Sequence, residues 1–461
     1  MKILLISPII DQPEPDPPIG LCYLQAYLDK MGFTESKILY AYKSYEKIEK
    51  KIREFEPDIV GISCFTEFRR SSFKLAKMVK EINKNIKVVL GGPHATYMWK
   101  QIMENFSSVD FIVIGEGEIT FFELVNALGK NLELKNIKGI AFRKDGEIIK
   151  TEQRPFIMNL DELPFPSYRD IDFDKYKMAK PPEYFEKKKK APVVSSRGCV
   201  NDCNFCSTTQ FWSKRWRSRS PKNVVDEIEW LIKDYNISFF TFFDDIFTVN
   251  KERVIEICKE ILNRELKINW YAETRVDSIS TEMLEWMKKA GCFMLQFGVE
   301  SGSEKILENM NKKITREQII NAFKMAKEVG LQREVLLMVG YPGETDKTLN
   351  ETKELIDTII PDMVVVSITK VLPSTKLYEL AKQQGFINDD YWLSEKTAPE
   401  YTLEHSMQDL LSMRLDIMRH FYKSKGTFEF YKYIWMVFKS KPRILTDHLK
   451  VYLLGKQRLV E

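Results

Sequence analysis

Short apolar runs, each too brief for a helix and each closed by Gly or Pro, alternate along this chain with stretches of helical periodicity. In the first part they fall at residues 2–7, 58–63, 87–90 and 110–114. Between them, Leu21, Leu24 and Leu28 share one helical face, as do Phe73, Ala76, Val79 and Ile82. Strands that are apolar throughout, separated by amphipathic helices, require a parallel sheet covered on both faces. Ligands of such sheets lie at the carboxyl ends of the strands. Here those ends carry Ser7-Pro8, Ser63, Gly91-Gly-Pro-His94 and Gly115-Glu-Gly-Glu118.

A second alternation supplies six further strands, at 193–196, 239–244, 268–275, 293–300, 334–340 and 363–371. Six strand–helix units with polar residues at the strand ends predict an open, partial barrel of the TIM type. The expected fold class is therefore α/β. Residues 1–150 form a doubly wound, flavodoxin-like sheet, 151–190 a linker, 191–385 the partial barrel and 386–461 a helical region. The Lys run at 187–190 is expected to be a solvated part of the linker. The aromatic, basic stretch 431–438 reads as a docked helical cap or as an interfacial helix touching a membrane surface.

The chain has 461 residues, long enough for two to four domains. Its 70 basic and 66 acidic side chains leave a net charge of +4, which argues against a nucleic-acid partner. Seven cysteines, three of them clustered, do not form a disulfide framework. With no secretory pattern behind Met1-Lys2 and no apolar run of about 18 residues, a cytoplasmic protein is expected.

The most specific signal is Arg197-Gly-Cys-Val-Asn-Asp-Cys-Asn-Phe-Cys206. Three thiolates at this spacing can wrap one cubane of iron and sulfide, for which four cysteines are usual. Cys22, Cys64, Cys258 and Cys292 are all distant in sequence, so one iron is left without a protein ligand. A structural zinc loop would need a closed set of four ligands.

The spacing at the end of a first barrel strand, with an aromatic at Phe205, resembles the radical S-adenosylmethionine (SAM) superfamily, whose other landmarks recur in order. The resemblance implies a [4Fe–4S] cluster on Cys199, Cys203 and Cys206, with SAM chelating the open iron. It assigns Asp244 and Asp245, in Phe242-Phe-Asp-Asp-Ile-Phe247, to the methionine ammonium. Arg275, in Tyr271-Ala-Glu-Thr-Arg-Val-Asp277, would face the SAM carboxylate. Glu300, in Phe297-Gly-Val-Glu-Ser-Gly302, would serve the ribose hydroxyls or the amino group. The strand leading into Gly340-Tyr-Pro-Gly-Glu344 would pack on the adenine, as would Phe205. Taken singly, such carboxylates also read as helix N-caps and Gly340-Tyr-Pro-Gly as a plain turn. Tyr271, Glu273 and Gln296 are candidate pocket residues.

The first domain resembles the cobalamin-binding domain fused to many radical SAM enzymes. That family places an Asp-x-His-x-x-Gly loop ahead of a Ser-x-Leu and a Gly-Gly pair. Ser63-Cys-Phe65 and Gly91-Gly92 stand at nearly those distances, but Pro15 and Pro17 replace the Asp and the His. The resemblance is to the class B group, with its anaerobic magnesium-protoporphyrin ester cyclases and C-methyltransferases, which tolerates loss of the axial histidine. It implies that Ser63, Gly91 and Gly92 accommodate the cobalamin nucleotide tail and that His94 is a polar wall residue. Gly117 and Glu118 join them as cofactor-binding positions.

The leading expectation is a cobalamin-dependent radical SAM methyltransferase. It acts on an unactivated carbon of a small-molecule, lipid or peptide substrate, and a flavodoxin or ferredoxin serves as external reductant. Cyclisation, oxidation or carbon–carbon coupling with the same cofactors is the second reading. A non-catalytic corrinoid and iron–sulfur sensor is the third.

Overall fold

The computed structural model describes residues 1–8, 16–40, 44–176 and 188–426. Pro15, part of Lys187–Lys190 and the stretch 431–438 lie outside them. The N-terminal sheet contains β1 (Ile3–Ile6), β2 (Ser36–Leu39), β3 (Ile59–Ser63), β4 (Lys87–Gly91), β5 (Phe111–Val113), β6 (Ile140–Lys144) and β7 (Glu147–Lys150). Its order is β2-β1-β3-β4-β5-β6-β7, parallel as far as β5 and antiparallel beyond it. The period-2 alternation of strands divides its core. Ile3, Leu5, Ile59 and Val89 pack with the helices Ile19–Lys30 and Glu118–Lys130. Leu4, Ile6, Val60 and Val88 pack with Tyr45–Phe55 and Arg69–Ile82 on the opposite face.

Three strands here were not expected from the sequence. β2 has only four residues, one of them the exposed Lys37, so no apolar run marks it. The β6–β7 hairpin turns through Asp145-Gly146, both at positive φ, which is the Asp-Gly turn signal of a two-residue hairpin.

The second sheet has the sequential, all-parallel order expected of a partial barrel. It holds β8 (Lys190–Val193), β11 (Phe239–Phe242), β12 (Asn269–Thr274), β13 (Cys292–Glu300), β14 (Gln332–Val339) and β15 (Met363–Ile368). Between β8 and β11 lies a separate ribbon of β9 (Ser196–Arg197) and β10 (Arg217–Ser218). The barrel helices begin at side-chain caps from Ser220, Asn250, Ser280, Thr315 and Thr345, each worth about 1 kcal/mol. The helix Met407–Ser424 packs against β15 and the helix Asp346–Ile359. Among the described residues no helix is long and apolar enough to cross a membrane.

Residues 151–176 are irregular but not solvated. Tyr168, Ile171, Phe173 and Tyr176 are buried, and they join the core of the N-terminal sheet to that of the barrel in one apolar cluster. Lys190 also departs from the solvated reading. It begins β8 and pairs with Asp16 at 2.7 Å, with only 11% of its side chain exposed.

Gly291 opens β13 with φ of +92°, and a Cβ there would lie 2.1 Å from the carbonyl oxygen of Ile268. Gly291→Ala must push β12 and β13 apart and is expected to cost about 2–4 kcal/mol. Thermal unfolding followed by circular dichroism checks this, with a midpoint several degrees below the parent expected.

Candidate functional site

The cysteine segment leaves the barrel as an excursion, residues 198–216, whose neck is the β9–β10 ribbon. Asp244, just past β11, pins the near side of that neck. One carboxylate oxygen accepts from the Ser195 amide at 2.7 Å, and the other accepts from the hydroxyls of Ser195 at 2.6 Å and Ser196 at 2.5 Å. It is 3% exposed and fully committed, so it does not stand open to a ligand in the barrel lumen. Asp245 is accessible within a recess and accepts from the Gly198 amide at 3.0 Å. Gly198 itself has φ of +96°, with a Cβ position 1.9 Å from the Arg215 carbonyl, so only glycine fits.

Cys199, Cys203 and Cys206 are half-buried thiols without disulfide partners. The Asn201 amide approaches the Cys199 sulfur at 3.4 Å. Burial raises the pKa of Cys203, the cations Lys312 and Arg275 pull it back, and the other two cysteines push it up again. No group of three His, Cys, Asp or Glu side chains among the described residues is gathered tightly enough for a single metal ion. Ligands of a cubane each take a different corner and stand wider apart. Three soft thiols on one loop, with Cys64, Cys258 and Cys292 buried elsewhere, therefore fit a cluster rather than a lone ion.

Arg275 forks onto Asp277 with two bonds of 2.9 Å and donates to the Lys312 carbonyl, which turns its charge toward Cys203 and Cys199. Glu300 ends β13 at φ of +72°, where the ladder to β14 shifts register, and pairs with Lys312 at 2.8 Å. Lys312 also lies 5.9 Å from the centre of the Phe205 ring. Below them Glu273 is accessible in the lumen. Its pKa is raised by burial and then by Asp245, Glu300 and Glu334, with Lys312 opposing. Burial pushes the Tyr271 hydroxyl up to about 12, and the Gln296 amide donates to Glu334. Gly340 is buried, and a Cβ there would lie 2.3 Å from Leu410 on the C-terminal helix. Its neighbour Tyr341 meets Phe205 edge-on.

At the N-terminal sheet, the Gly92 Cβ position lies 3.1 Å from the Cys64 carbonyl, that of Gly91 lies in ordinary contact with Val113 at 3.8 Å, and Gly115 looks onto open space. Ser63 is partly exposed beside them. Gly117 backs onto Leu24. A recess of about 230 Å³ lies between this edge and the helix that follows Cys206, lined in part by Thr96, Gly115, Phe156, Gln210 and Phe211. That side-chain-free rim permits close approach of a nucleotide tail, and the recess beside it is too small to enclose a whole corrinoid. His94 does not join the rim. It is fully buried, its Nδ1 paired with the Thr66 hydroxyl at 3.2 Å and its ring edge-on to Trp392. Burial, helped by Arg69, lowers its pKa to about 3, so it is neutral. Glu118 is likewise spent, accepting from Arg197 at 2.6 Å.

Ser195, Ser196, Lys312 and the Arg197, Arg217 and Glu116 group were not found from the sequence. Only the position of Arg197 beside Gly198-Cys199 offered a signal, because the other pairings depend on the fold.

Glu344 closes the turn after β14, accepting from the amides of Gly340 and Tyr341, and its burial raises its pKa from 4.5 to about 7. The unfolded chain therefore loses this proton first as pH rises. Glu344 should cost stability progressively between about pH 4.5 and 7, and by a constant amount above that, of about 3 kcal/mol. Glu344→Gln is expected to unfold at a higher temperature than the parent, by a margin that grows from pH 5 to 7 and then levels. A margin that shrinks over that range would contradict the assignment.

Residues 193–356 match the Radical SAM superfamily, and residues 13–125 match the B12 binding domain. An uncharacterized methyltransferase of Pyrococcus horikoshii is 36% identical, over 90% of this chain and 91% of its own length. The anaerobic magnesium-protoporphyrin IX monomethyl ester cyclase of Rubrivivax gelatinosus is 31% identical, over 95% of this chain and 79% of its own. Among solved structures, the cobalamin-dependent SAM radical enzyme OxsB, with aqua-cobalamin and SAM bound, superposes with a TM-score of 0.73. It is 20% identical and the match covers 98% of this chain and 75% of that one, a likeness of fold.

Proposed function

We propose a methyl-transfer reaction for this chain, which belongs to the radical SAM enzymes that carry a B12-binding domain. The observation that carries the reading is the pairing of two sites. Three unpaired thiols stand on one loop, and the bare carboxyl edge of a doubly wound sheet is held beside it. When bound, the cluster supplies one electron for cleaving SAM to a 5′-deoxyadenosyl radical, and the corrinoid supplies a methyl group.

Cys199, Cys203 and Cys206 hold the cluster. Lys312 and Arg275 stabilise the thiolates by their charge. Arg275, although forked onto Asp277, keeps the cationic environment that a SAM carboxylate requires. Asp245 and Glu273 are the accessible acids that would take the ammonium of SAM, and Glu300 would serve its ribose hydroxyls. Asp244 acts one step back, by fixing the base of the loop. Phe205 and Tyr341, which meet edge-on, would offer an aromatic wall to the adenine. Ser63, Gly91, Gly92 and Gly117 give the corrinoid tail a surface of small residues. An external one-electron donor, of flavodoxin or ferredoxin type, reaches the loop from its outer side, where Val200 is 55% exposed. The identity to a named methyltransferase favours methyl transfer. The identity to a cyclase keeps ring closure or oxidation as the second reading.

Purified protein, reconstituted anaerobically and supplied with substrate, should form S-adenosylhomocysteine and 5′-deoxyadenosine together with a methylated product. 5′-Deoxyadenosine without S-adenosylhomocysteine would favour the second reading. Cys203→Ala is expected to abolish formation of both nucleosides. Retention of both would overturn the cluster assignment, and a parent that forms neither nucleoside would leave the sensor reading.

A further inference from the structure

In the β9–β10 ribbon, Arg197 is the direct cross-strand partner of Arg217. Both guanidiniums are buried, with 10% and 2% of the side chains exposed. Like charges set opposite one another across an antiparallel pair repel, and burial makes an uncompensated cation costly. Among the described residues, no carboxylate of the barrel pairs with either arginine. Arg197 donates to Glu116 at 2.9 Å and to Glu118 at 2.6 Å, and Arg217 donates to both oxygens of Glu116 at 2.9 Å. Glu116 comes from the loop after β5 and Glu118 opens the helix that follows it, both at the carboxyl edge of the N-terminal sheet. Two remaining nitrogens of Arg217 have no hydrogen-bond partner among the described residues, and its guanidinium carbon lies 4.7 and 5.2 Å from the centres of the Phe156 and Trp212 rings. Arg197 sits over Tyr23 of the first helix, 5.1 Å from its ring centre. Glu116 is further fixed by the Ile157 amide at 2.8 Å. The neck of the cysteine loop therefore closes on charges that the other half of the molecule supplies.

We propose that Glu116, Glu118, Arg197 and Arg217 form a positioning joint that closes the cysteine loop only against the docked N-terminal sheet, and so fixes the spacing between the cluster site and the corrinoid site. None of the four residues needs to touch a reacting atom. Their effect is exerted through the loop and through the rim at Gly115. The proposal rests on the methyl-transfer reading for its consequence in turnover, though not for the joint itself.

The test uses the full chain carrying Glu118→Gln, which removes one charge and keeps the shape. Amide hydrogen exchange across residues 197–206, measured before any SAM is added, should quicken, while iron and sulfide per chain match the parent. With substrate, 5′-deoxyadenosine should form at the parent's rate to within about twofold, and methylated product per 5′-deoxyadenosine should fall about 10²-fold, the scale of a misplacement of about 1 Å. Arg197→Lys keeps the charge but loses the fork. It should shift both readings in the same direction, and it replaces Glu118→Gln if that variant does not fold. Unchanged exchange overturns the joint, and quickened exchange with an unchanged product ratio overturns its control of spacing. A parent that makes no methylated product sinks the methyl-transfer reading instead and leaves exchange to judge the joint.

Discussion

Asp244 accepts three hydrogen bonds from two consecutive serines where the first barrel strand gives way to the cysteine loop. Everything downstream of that grip inherits its position. The Gly198 amide is held by the neighbouring Asp245, and Arg253 reaches the Ser195 carbonyl at 2.7 Å from behind. A loop that must present several sulfurs to one inorganic cube cannot be left to find its own shape, because each ordered residue costs about 1–2 kcal/mol of conformational freedom. The strand ends of the barrel offset that cost before any ligand arrives.

The electrostatics of the lumen follow from the same economy of placement. Carboxylates from three successive strands converge, and Lys312 and Arg275 stand between them and the thiols. Such an arrangement is unfavourable for an empty site, which is why burial and mutual repulsion raise the pKa of Glu273. It suits a zwitterionic ligand that brings its own ammonium and carboxylate. Glu300 is held in a left-handed backbone conformation at the end of its strand, a local strain of about 1–3 kcal/mol of the kind that concentrates at functional sites.

Much of this was legible in the sequence. Both strand–helix alternations could be read because parallel strands buried on two faces leave unbroken apolar runs, as in Ile3-Leu-Leu-Ile6. The cysteine spacing needed no fold to interpret it. What escaped were pairings between distant segments. No local pattern shows that Glu118 meets Arg197, that Asp244 is consumed by two serines, or that His94 lies beneath Trp392. Nor does the sequence show that Gly340 lies beside Leu410 of the C-terminal helix. The stretch 151–176 is irregular, as a linker is, yet no local pattern shows that Tyr168, Phe173 and Tyr176 within it are core.

The single apolar cluster running from the N-terminal sheet through Tyr168, Phe173 and Tyr176 into the barrel has a consequence for how such proteins diversify. Chains assembled from separable beads can trade a front piece for a foreign one by recombination in the connector. Here a cut near residue 150 would strip a shared interior and leave large aromatic faces wet. Substitutions within the lumen and its overlying loops, by contrast, leave that shared interior intact.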